Sequence, residues 1–138
     1  MSNEWTRGSF RITDDPAQVD LRFMTEALNT TYWAGERTYE TVAKAAENSV
    51  TLTLFDGERP IGFSRMVGDG ATFTWICDVY VLPEYRGQKL GTWLVERTVE
   101  HPFNQYRLSM LATRDAFTLY EKFGFKLYDR AMVRRGGE

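Results

Sequence analysis

Alternating apolar and polar residues mark the strands of this chain. Residues 9–13 alternate over one short run, which predicts a first strand. Runs rich in β-branched and apolar residues predict three further strands, at 49–55, 60–67 and 71–81. Two turn signals, Asp56-Gly57 and Gly68-Asp69-Gly70, separate these three runs. The second, third and fourth strands are therefore expected to pair in succession as an antiparallel meander.

Apolar residues at helical spacing predict four helices, at 17–29, 39–47, 89–100 and 114–122. Pro16 suits the first turn of the first helix, and Pro102 follows the third. Gly124 suits the left-handed position just beyond the fourth helix. Further strands are expected at 107–112, 125–128 and 131–134. Strands and helices thus mix along the chain, which indicates an α/β fold of the α+β type with a mixed sheet.

The composition is that of one globular domain spanning residues 1–138. Of the 138 residues, 43% are hydrophobic and 26% are charged, which supports a packed core and excludes general disorder. A net charge of −2 gives no overall electrostatic footprint for nucleic acid, although it leaves room for a local basic patch, and no nucleic-acid partner is expected. No apolar run is long enough to cross a membrane, and residues 1–10 lack the apolar stretch of a signal peptide. We therefore expect a cytoplasmic protein without a membrane partner.

The side chains that most often carry metal or nucleophilic chemistry are few. Cys77 is the only cysteine and lies in an apolar run, so it is expected to be a buried, inert thiol. His101, the only histidine, ends a helix just before a proline, and its predicted role is to complement the helix dipole. The Cys/His spacings typical of zinc sites are missing from the sequence, and no metal is expected.

The segment 79–92, VYVLPEYRGQKLGT, combines a strand, a proline, a glycine turn and a helix start. Backbone N–H groups at a helix start lack intrahelical acceptors and carry the positive end of the dipole, so residues 87–92 are expected to bind a phosphate. Arg86 adds a forked cation and Thr92 a hydroxyl. In a purely structural interpretation, Gly87 serves the turn, Gly91 permits close helix packing, and Arg86 is solvated.

Part of this segment, VLPEYRGQKLG at 81–91, resembles the acetyl-CoA turn of the GNAT N-acetyltransferase superfamily, Val-x-Pro-x-x-Arg-Gly-x-Gly-x-Gly or Ala. Lys89 stands where the family most often has its middle glycine, and we expect helical φ and ψ there. A second segment, AFTLYEKFGF at 116–125, resembles the family pattern Ala-x-x-Leu-Tyr-x-Lys-x-Gly-Phe. Thr113 replaces a frequent asparagine but keeps a capping oxygen. The chain thus resembles a small, single-domain, bacterial-type member of the GNAT superfamily.

This resemblance implies a GNAT-like fold and a co-substrate, acetyl-CoA. The central sheet would be largely antiparallel, would be flanked by about four helices, and would part after the fourth strand, which ends at Val81. The pantetheine arm would bond to the exposed strand edge at Val79, Tyr80 and Val81, and the pyrophosphate would bind the turn. The residues expected to hold the co-substrate are therefore these three, with Arg86, Gly87, Gln88, Lys89, Leu90, Gly91, Thr92 and Thr113.

Two side chains are candidates for the chemistry. Tyr120 is predicted to stabilise or protonate the departing thiolate, which a positioned phenol O–H can do. Asp78 is predicted to attract the ammonium of the acceptor and accept its proton; alternatively it caps a loop or pairs with an arginine. Tyr32, Trp33 and Arg37, between the first two helices, are candidate substrate contacts, although the two aromatic side chains would equally fill the edge of the core.

Three functions are compatible with a phosphate-binding turn. The first is transfer of an acetyl group from acetyl-CoA to a primary amine of a small molecule or peptide, by direct attack. The second is a non-catalytic module that binds acyl-CoA as a sensor or interaction partner. The third, nucleotide phosphotransfer, is disfavoured because RGQKLGT lacks the Gly-Lys-Ser/Thr ending of a P-loop. Members of the resembled family often form dimers, so a homodimer is the candidate assembly.

Overall fold

Six strands form one sheet in the computed structural model, which describes residues 2–105 and 108–136. The strands lie side by side in chain order. They are β1 (Glu4–Arg7), β2 (Phe10–Thr13), β3 (Val50–Asp56), β4 (Arg59–Gly68), β5 (Phe73–Val81) and β6 (Leu108–Met110). Neighbours from β1 to β5 are antiparallel, whereas β6 runs parallel to β5. The predicted meander is confirmed as β3, β4 and β5.

Four α-helices accompany the sheet in the described part of the chain. They are α1 (Leu21–Leu28), α2 (Tyr39–Glu47), α3 (Leu90–Val99) and α4 (Phe117–Glu121). Side-chain caps set the start of the first two: Asp20 accepts the N–H of Phe23, and Thr38 accepts that of Thr41. The first helix is shorter than the predicted 17–29 because Pro16–Gln18 forms a separate 3₁₀ turn before the Asp20 cap.

The two faces of the sheet bury separate apolar clusters. Helices α1 and α2 pack on one face against Phe63 and Tyr80. Helix α3 packs on the other face, in a cluster that holds Ile12, Leu52, Leu54, Ile61, Met66, Ile76, Val81, Leu90, Trp93 and Leu94. Consecutive residues of β4 show this division, because Phe63 joins the first cluster while Ser64 hydrogen-bonds Thr98 of α3. Each fully buried aliphatic side chain contributes about 1.5–3 kcal/mol.

The sheet parts between β5 and β6. Pairing with β6 covers only the first three residues of β5, Phe73 to Trp75. Residues 76–81 pair with β4 on one side and have no described strand on the other. This confirms the predicted parting beside the strand that ends at Val81. That strand is the fifth rather than the fourth, because the mostly polar β1 gives no clear strand pattern in the sequence.

The C-terminal segment departs from its prediction. The closing strands predicted at 125–128 and 131–134 are wrong, since neither segment forms a strand. Leu127 and Met132 are instead 84% and 97% exposed. A strand requires a hydrogen-bonding neighbour, and β6 offers an edge of only three residues. Of the strand predicted at 107–112, residues 108–110 form β6 and Arg107 lies outside the described residues.

His101, the single histidine of the sequence, makes contacts that hold the fold together. His101 is buried; its Nε2 lies 2.8 Å from Asp14 Oδ2, and its Nδ1 accepts the N–H of Phe103. Because Nδ1 accepts, Nε2 carries the proton and donates to Asp14. Burial acts to raise the pKa of Asp14, but hydrogen bonds from Asn3 and His101 outweigh burial and lower that pKa. His101 therefore ties the chain beyond α3 to the end of β2.

Candidate functional site

The turn between β5 and α3 forms where the sequence predicts it, but Lys89 differs from expectation. A 3₁₀ turn, Pro83–Tyr85, follows β5, and α3 begins at Leu90. Gly87 has φ +87°, a conformation that favours glycine. Lys89 has φ +64° and ψ 16°, so the prediction of helical φ and ψ there is wrong. The residue precedes the first helical position and must turn the chain into α3, at a cost of roughly 1–2 kcal/mol for a side chain.

Helix α3 starts with free backbone donors. Its first intrahelical bond runs from the Trp93 N–H to the Lys89 carbonyl, at 3.0 Å. The N–H groups of Leu90, Gly91 and Thr92 precede that bond and have no acceptor within the helix. The positive end of the helix dipole adds to their attraction for negative charge. This end of α3 is therefore suited to an anion.

A cavity of about 340 Å³ lies beside these donors. It is lined by Val81, Arg86, Gly87, Lys89, Gly91, Thr92 and Leu119. A Cβ atom added at Gly87 or Gly91 would meet no atom within 4 Å. Gly91 is thus not required for close helix packing. A side chain at position 91 would enter open space at the lining of the cavity.

Arg86 is held over the end of β5. Its Nε donates to the Val81 carbonyl at 2.8 Å, and its guanidinium carbon lies 5.6 Å from the centre of the Tyr80 ring. With Nε engaged, the outer N–H groups of the fork remain at the rim of the cavity. Val79, Tyr80 and Val81 form the part of β5 whose outer edge is open, and Gln88 is exposed beside it. The predicted co-substrate residues between Val79 and Thr92 therefore lie in one continuous segment, from the end of β5 to the start of α3, whereas Thr113 lies before α4.

Asp78 lies at a β-bulge near the middle of this open stretch. The register between β4 and β5 shifts between Phe63 and Arg65. Two residues of β5, Asp78 and Val79, consequently oppose the single residue Ser64 of β4. Asp78 has φ +55°, which is rare for a residue other than glycine. The bulge directs its side chain toward the loop between α1 and α2, which contacts it through Trp33.

The Asp78 carboxylate is buried and fully engaged. Its side chain is only 1% exposed. Trp33 Nε1 donates to Oδ1 at 3.1 Å, and Arg37 Nη1 and Arg65 Nε each donate to Oδ2 at 2.8 Å. Arg65 is itself fixed by a second bond, to Ser49 Oγ at 3.0 Å. These are the contacts of an anchoring group and match the alternative of pairing with an arginine; proton acceptance by Asp78 stays a prediction.

Tyr32 and Trp33 form an exposed aromatic rim above Asp78. Tyr32 is 55% exposed and Trp33 is 41% exposed. Their rings meet edge to face, with centres 5.1 Å apart. The guanidinium carbon of Arg114 lies 3.7 Å from the centre of the Tyr32 ring, a close cation–π contact. The two aromatic side chains are thus at the surface rather than filling the edge of the core, and their contact with a substrate stays a prediction.

Tyr120 lies under this rim. Its side chain is buried, and its ring meets that of Phe125 edge to face at 5.9 Å. Burial, and secondarily the nearby Tyr32 phenol, raises the pKa of Tyr120 to about 12. The hydroxyl therefore keeps its proton near neutral pH. Gly124, at φ +90°, closes α4 as predicted, and the Phe125 N–H bonds back to the Tyr120 carbonyl.

Helix α4 links the two halves of the site. Leu119 lines the cavity at α3, and Tyr120, the next residue, lies beside Tyr32. The two halves are also joined along β5, where Asp78 and Val81 lie three positions, about 10 Å of strand, apart. Thr113 does not cap α4 as predicted, because the helix expected at 114–122 begins only at Phe117 and its N-cap, Ala116, has no side-chain cap; the Thr113 hydroxyl instead accepts the Ala116 N–H at 2.9 Å in the turn before it. Its contact with a co-substrate stays a prediction.

Sequence reasoning misses two residues of this site, Arg65 and Arg114. Arg65 stands between Ser64 and Met66, which are both buried. A charged residue inside such a strand signals a buried partner, because an unpaired charge is costly there. Arg114 follows Thr113 near a helix start and has no feature in the sequence that distinguishes it from a solvated arginine.

The described residues provide neither a membrane span nor a metal-binding cluster. No described helix is long and apolar enough to cross a membrane. Within residues 2–105 and 108–136, no three or more His, Cys, Asp or Glu side chains come together as a metal site. Burial raises the pKa of the Cys77 thiol to about 11, so this side chain stays protonated near neutral pH.

Replacing Lys89 by glycine should stabilise the protein. Lys89→Gly removes the left-handed strain, and the gain exceeds the added entropy of the unfolded chain, so we expect the free energy of unfolding to rise by about 0.5–1 kcal/mol. Lys89→Ala is the matched control, since it removes the charge but keeps a Cβ and should give no gain. Urea unfolding of the three proteins measures both changes; equal stability of the glycine and alanine variants would contradict the strain.

Comparison with known proteins identifies relatives of this arrangement. Residues 17–125 match the Acetyltransferase (GNAT) family. A protein from Gibberella zeae, described as a candidate acetyltransferase, is 30% identical over 90% of this chain and 83% of its own length. The crystal structure of a protein from Xanthomonas campestris pv. campestris, assigned to the GNAT family, is similar with a TM-score of 0.87 at 31% identity, over 91% of this chain and 92% of that one.

A more distant structure shares the fold. A protein from Clostridium acetobutylicum, solved with acetyl-CoA, is 15% identical, with a TM-score of 0.65 over 98% of this chain and 96% of that one. The family match extends from the start of α1 to the end of α4, and so includes both segments from which the resemblance was drawn. The chain therefore belongs to the GNAT acetyltransferase family.

Proposed function

We propose that this protein transfers an acetyl group from acetyl-CoA to a primary amine of a small molecule or peptide. The observation that carries the proposal is the open edge of β5, which ends at a donor-rich helix start whose cavity is lined by Leu119, the residue before the buried Tyr120. An unpaired strand edge offers backbone donors and acceptors to an extended amide-containing arm. The free N–H groups of α3 and the fork of Arg86 suit a diphosphate. Membership of an acetyltransferase family supports the same co-substrate.

The chemistry requires one bond to form and one to break. Acetyl-CoA supplies, when bound, an acyl carbon activated by a thiolate leaving group. The ammonium first loses one proton to solvent; the amine nitrogen then bonds to that carbon while the carbon–sulfur bond breaks, and the second proton that nitrogen gives up balances the proton that the sulfur gains. The Tyr120 hydroxyl is suited to stabilise the leaving sulfur, because its pKa of about 12 keeps the O–H donor intact.

Asp78 serves this proposal as a positioning residue. Its bonds to Trp33 and Arg37 hold the loop between α1 and α2 beside the open edge of β5. Tyr32, Trp33 and Arg37 are then placed as contacts for the acceptor amine. A cytoplasmic location and a homodimer stay predictions from the sequence.

Filling the space beside the start of α3 should weaken acetyl-CoA binding without lowering the free energy of unfolding. In Gly91→Leu, a better helix former replaces glycine in open space, so the free energy of unfolding should rise by about 0.5 kcal/mol. The same side chain would occupy the place proposed for the pyrophosphate. We therefore expect the Kd for acetyl-CoA, measured by calorimetry, to rise at least about tenfold, which corresponds to 1.4 kcal/mol.

The matched control for this variant is Gly91→Ala. Alanine also favours helix but adds only a methyl group, and the family pattern admits it, so its Kd for acetyl-CoA should stay within about threefold of the original. Tight acetyl-CoA binding by Gly91→Leu would contradict the proposed pyrophosphate site. A thermal shift with ATP but none with CoA would instead support nucleotide chemistry.

Removing the Tyr120 hydroxyl tests the catalytic part of the proposal. Tyr120→Phe keeps the buried ring, so the Kd for acetyl-CoA should change less than about twofold, while loss of the proton donor should lower kcat about 100-fold or more. Thiol release in the presence of a panel of amines measures kcat. Since the pKa of Tyr120 is about 12, the original protein should show no loss of rate from tyrosine ionisation as the pH rises toward 10.

Tyr128→Phe is the control for this experiment, because Tyr128 is 60% exposed and lies beyond α4. Its kcat should match that of the original protein. Equal turnover by Tyr120→Phe would contradict the role given to the phenol. Tight acetyl-CoA binding with no thiol release from any amine would overturn the transfer itself and support the non-catalytic sensor.

A further inference from the structure

Positive charge exceeds negative charge around Asp78. One carboxylate binds two guanidinium groups, Arg37 and Arg65, each at 2.8 Å. Because a single negative charge neutralises only one of them, the cluster keeps an excess of one positive charge. Arg114 brings a further positive charge to the same rim through its contact with Tyr32. The acceptor side of the proposed site is therefore electropositive, although the whole chain carries a net charge of −2.

No described carboxylate other than Asp78 offsets this charge at ion-pair distance. The acidic neighbours in the chain are Glu36, beside Arg37, and Asp115, beside Arg114; both are exposed. Within the residues that the structure describes, neither forms an ion pair with Arg37, Arg65 or Arg114 within 4.0 Å. An anionic ligand would therefore not displace an existing surface pair to reach these guanidinium groups.

The two arginines of the Asp78 cluster differ in access. The Arg65 side chain is 12% exposed and is also held by Ser49, so it serves mainly inside the fold. The Arg37 side chain is 29% exposed, and one N–H of its Nη1 donates to the Asp78 carboxylate. Its remaining donors are those that a ligand could reach. Arg37 therefore combines a fixed position with free hydrogen-bonding capacity.

An electropositive site acts on an amine in two ways. It repels an ammonium group and so favours the neutral amine, which is the form that attacks a carbonyl carbon. It also attracts a negative group attached to the same molecule, with a planar fork that matches the oxygens of a carboxylate or phosphate. A polycation, such as a polyamine, would gain nothing from either effect.

We propose that the acceptor is a primary amine that also carries a carboxylate or phosphate group, and that Arg37, with Arg114 at the rim, binds this anionic group. The inference rests on the proposed acetyl transfer and narrows its substrate class. The faces of Tyr32 and Trp33, exposed between the two arginines, would pack against the body of such an acceptor.

Paired acceptors with and without the anionic group test this inference, with rates compared per neutral amine because the anionic group also raises the pKa of the amine. We would compare kcat/KM for amino acids with that for their primary amides, for phosphoethanolamine with ethanolamine, and for spermidine, by thiol release from acetyl-CoA. The anionic member of at least one pair should be preferred at least about tenfold, as expected for a charge-assisted hydrogen bond. A preference within the amino-acid and amide pairs would indicate a carboxylate, and a preference for phosphoethanolamine over ethanolamine would indicate a phosphate.

Variants of Arg37 connect the preference to the structure. In Arg37→Gln the preference should fall to within about threefold of unity, mainly through a higher KM for the anionic acceptor. Arg37→Lys retains a charge but loses the fork, and should keep part of the preference. Lys44→Gln, at an exposed position of α2, removes the same charge away from the site and should leave the preference unchanged.

The outcomes separate this inference from the function on which it rests. Equal or better use of the neutral amides and of spermidine by the original protein would overturn the inference and leave acetyl transfer standing. A strong preference that survives unchanged in a folded Arg37→Gln would overturn the role of Arg37. Absence of thiol release with every acceptor would overturn the proposed transfer, and with it the inference.

Discussion

The buried bond between the Asp78 carboxylate and the side chains of Trp33, Arg37 and Arg65 organises the rest of the site. Trp33 and Arg37, at 3.1 and 2.8 Å, hold the loop between α1 and α2 against β5, and Arg65 of β4 adds a third donor at 2.8 Å. The same residue lies at a bulge with φ +55°, a strained conformation that such tertiary contacts must maintain. Beyond the pairing with β6, the outer edge of β5 is left open, so the anchor and the open edge occupy one stretch of chain.

The two ends of this stretch of β5 have different surroundings. Toward Val81, the chain turns through Gly87 and Lys89 into α3, whose first N–H groups face a cavity suited to an anion. Toward Asp78, the arginines and the aromatic rim form an electropositive surface above a buried, protonated Tyr120. A co-substrate with a diphosphate at one end and a reactive thioester at the other matches that polarity, and an amine with an anionic group matches the rim.

Local features of the sequence predict much of this arrangement. The strands of the meander follow from period-two alternation, α3 from its apolar spacing, and the anion turn from Gly87 and the helix start, since each depends on nearby residues only. Tertiary context explains what sequence reasoning misses. The Arg65 partner of Asp78 and the position of Arg114 depend on contacts between distant segments. The left-handed Lys89 is the exception, because it stands where the family pattern has glycine and turns the chain locally into α3. The absent closing strands show the same limit, because alternation at 125–134 does not supply a neighbouring edge.

The pH dependence of turnover in Asp78→Asn tests the central claim, that this carboxylate anchors the acceptor loop rather than removing a proton. Asparagine keeps an acceptor for Trp33 but loses the charge that holds two arginines, so we expect a KM for the acceptor raised about tenfold or more, with kcat and the shape of its pH profile largely retained. A folded variant whose kcat falls about 100-fold or more, with loss of the acidic limb of the profile at an unchanged KM, would contradict the account.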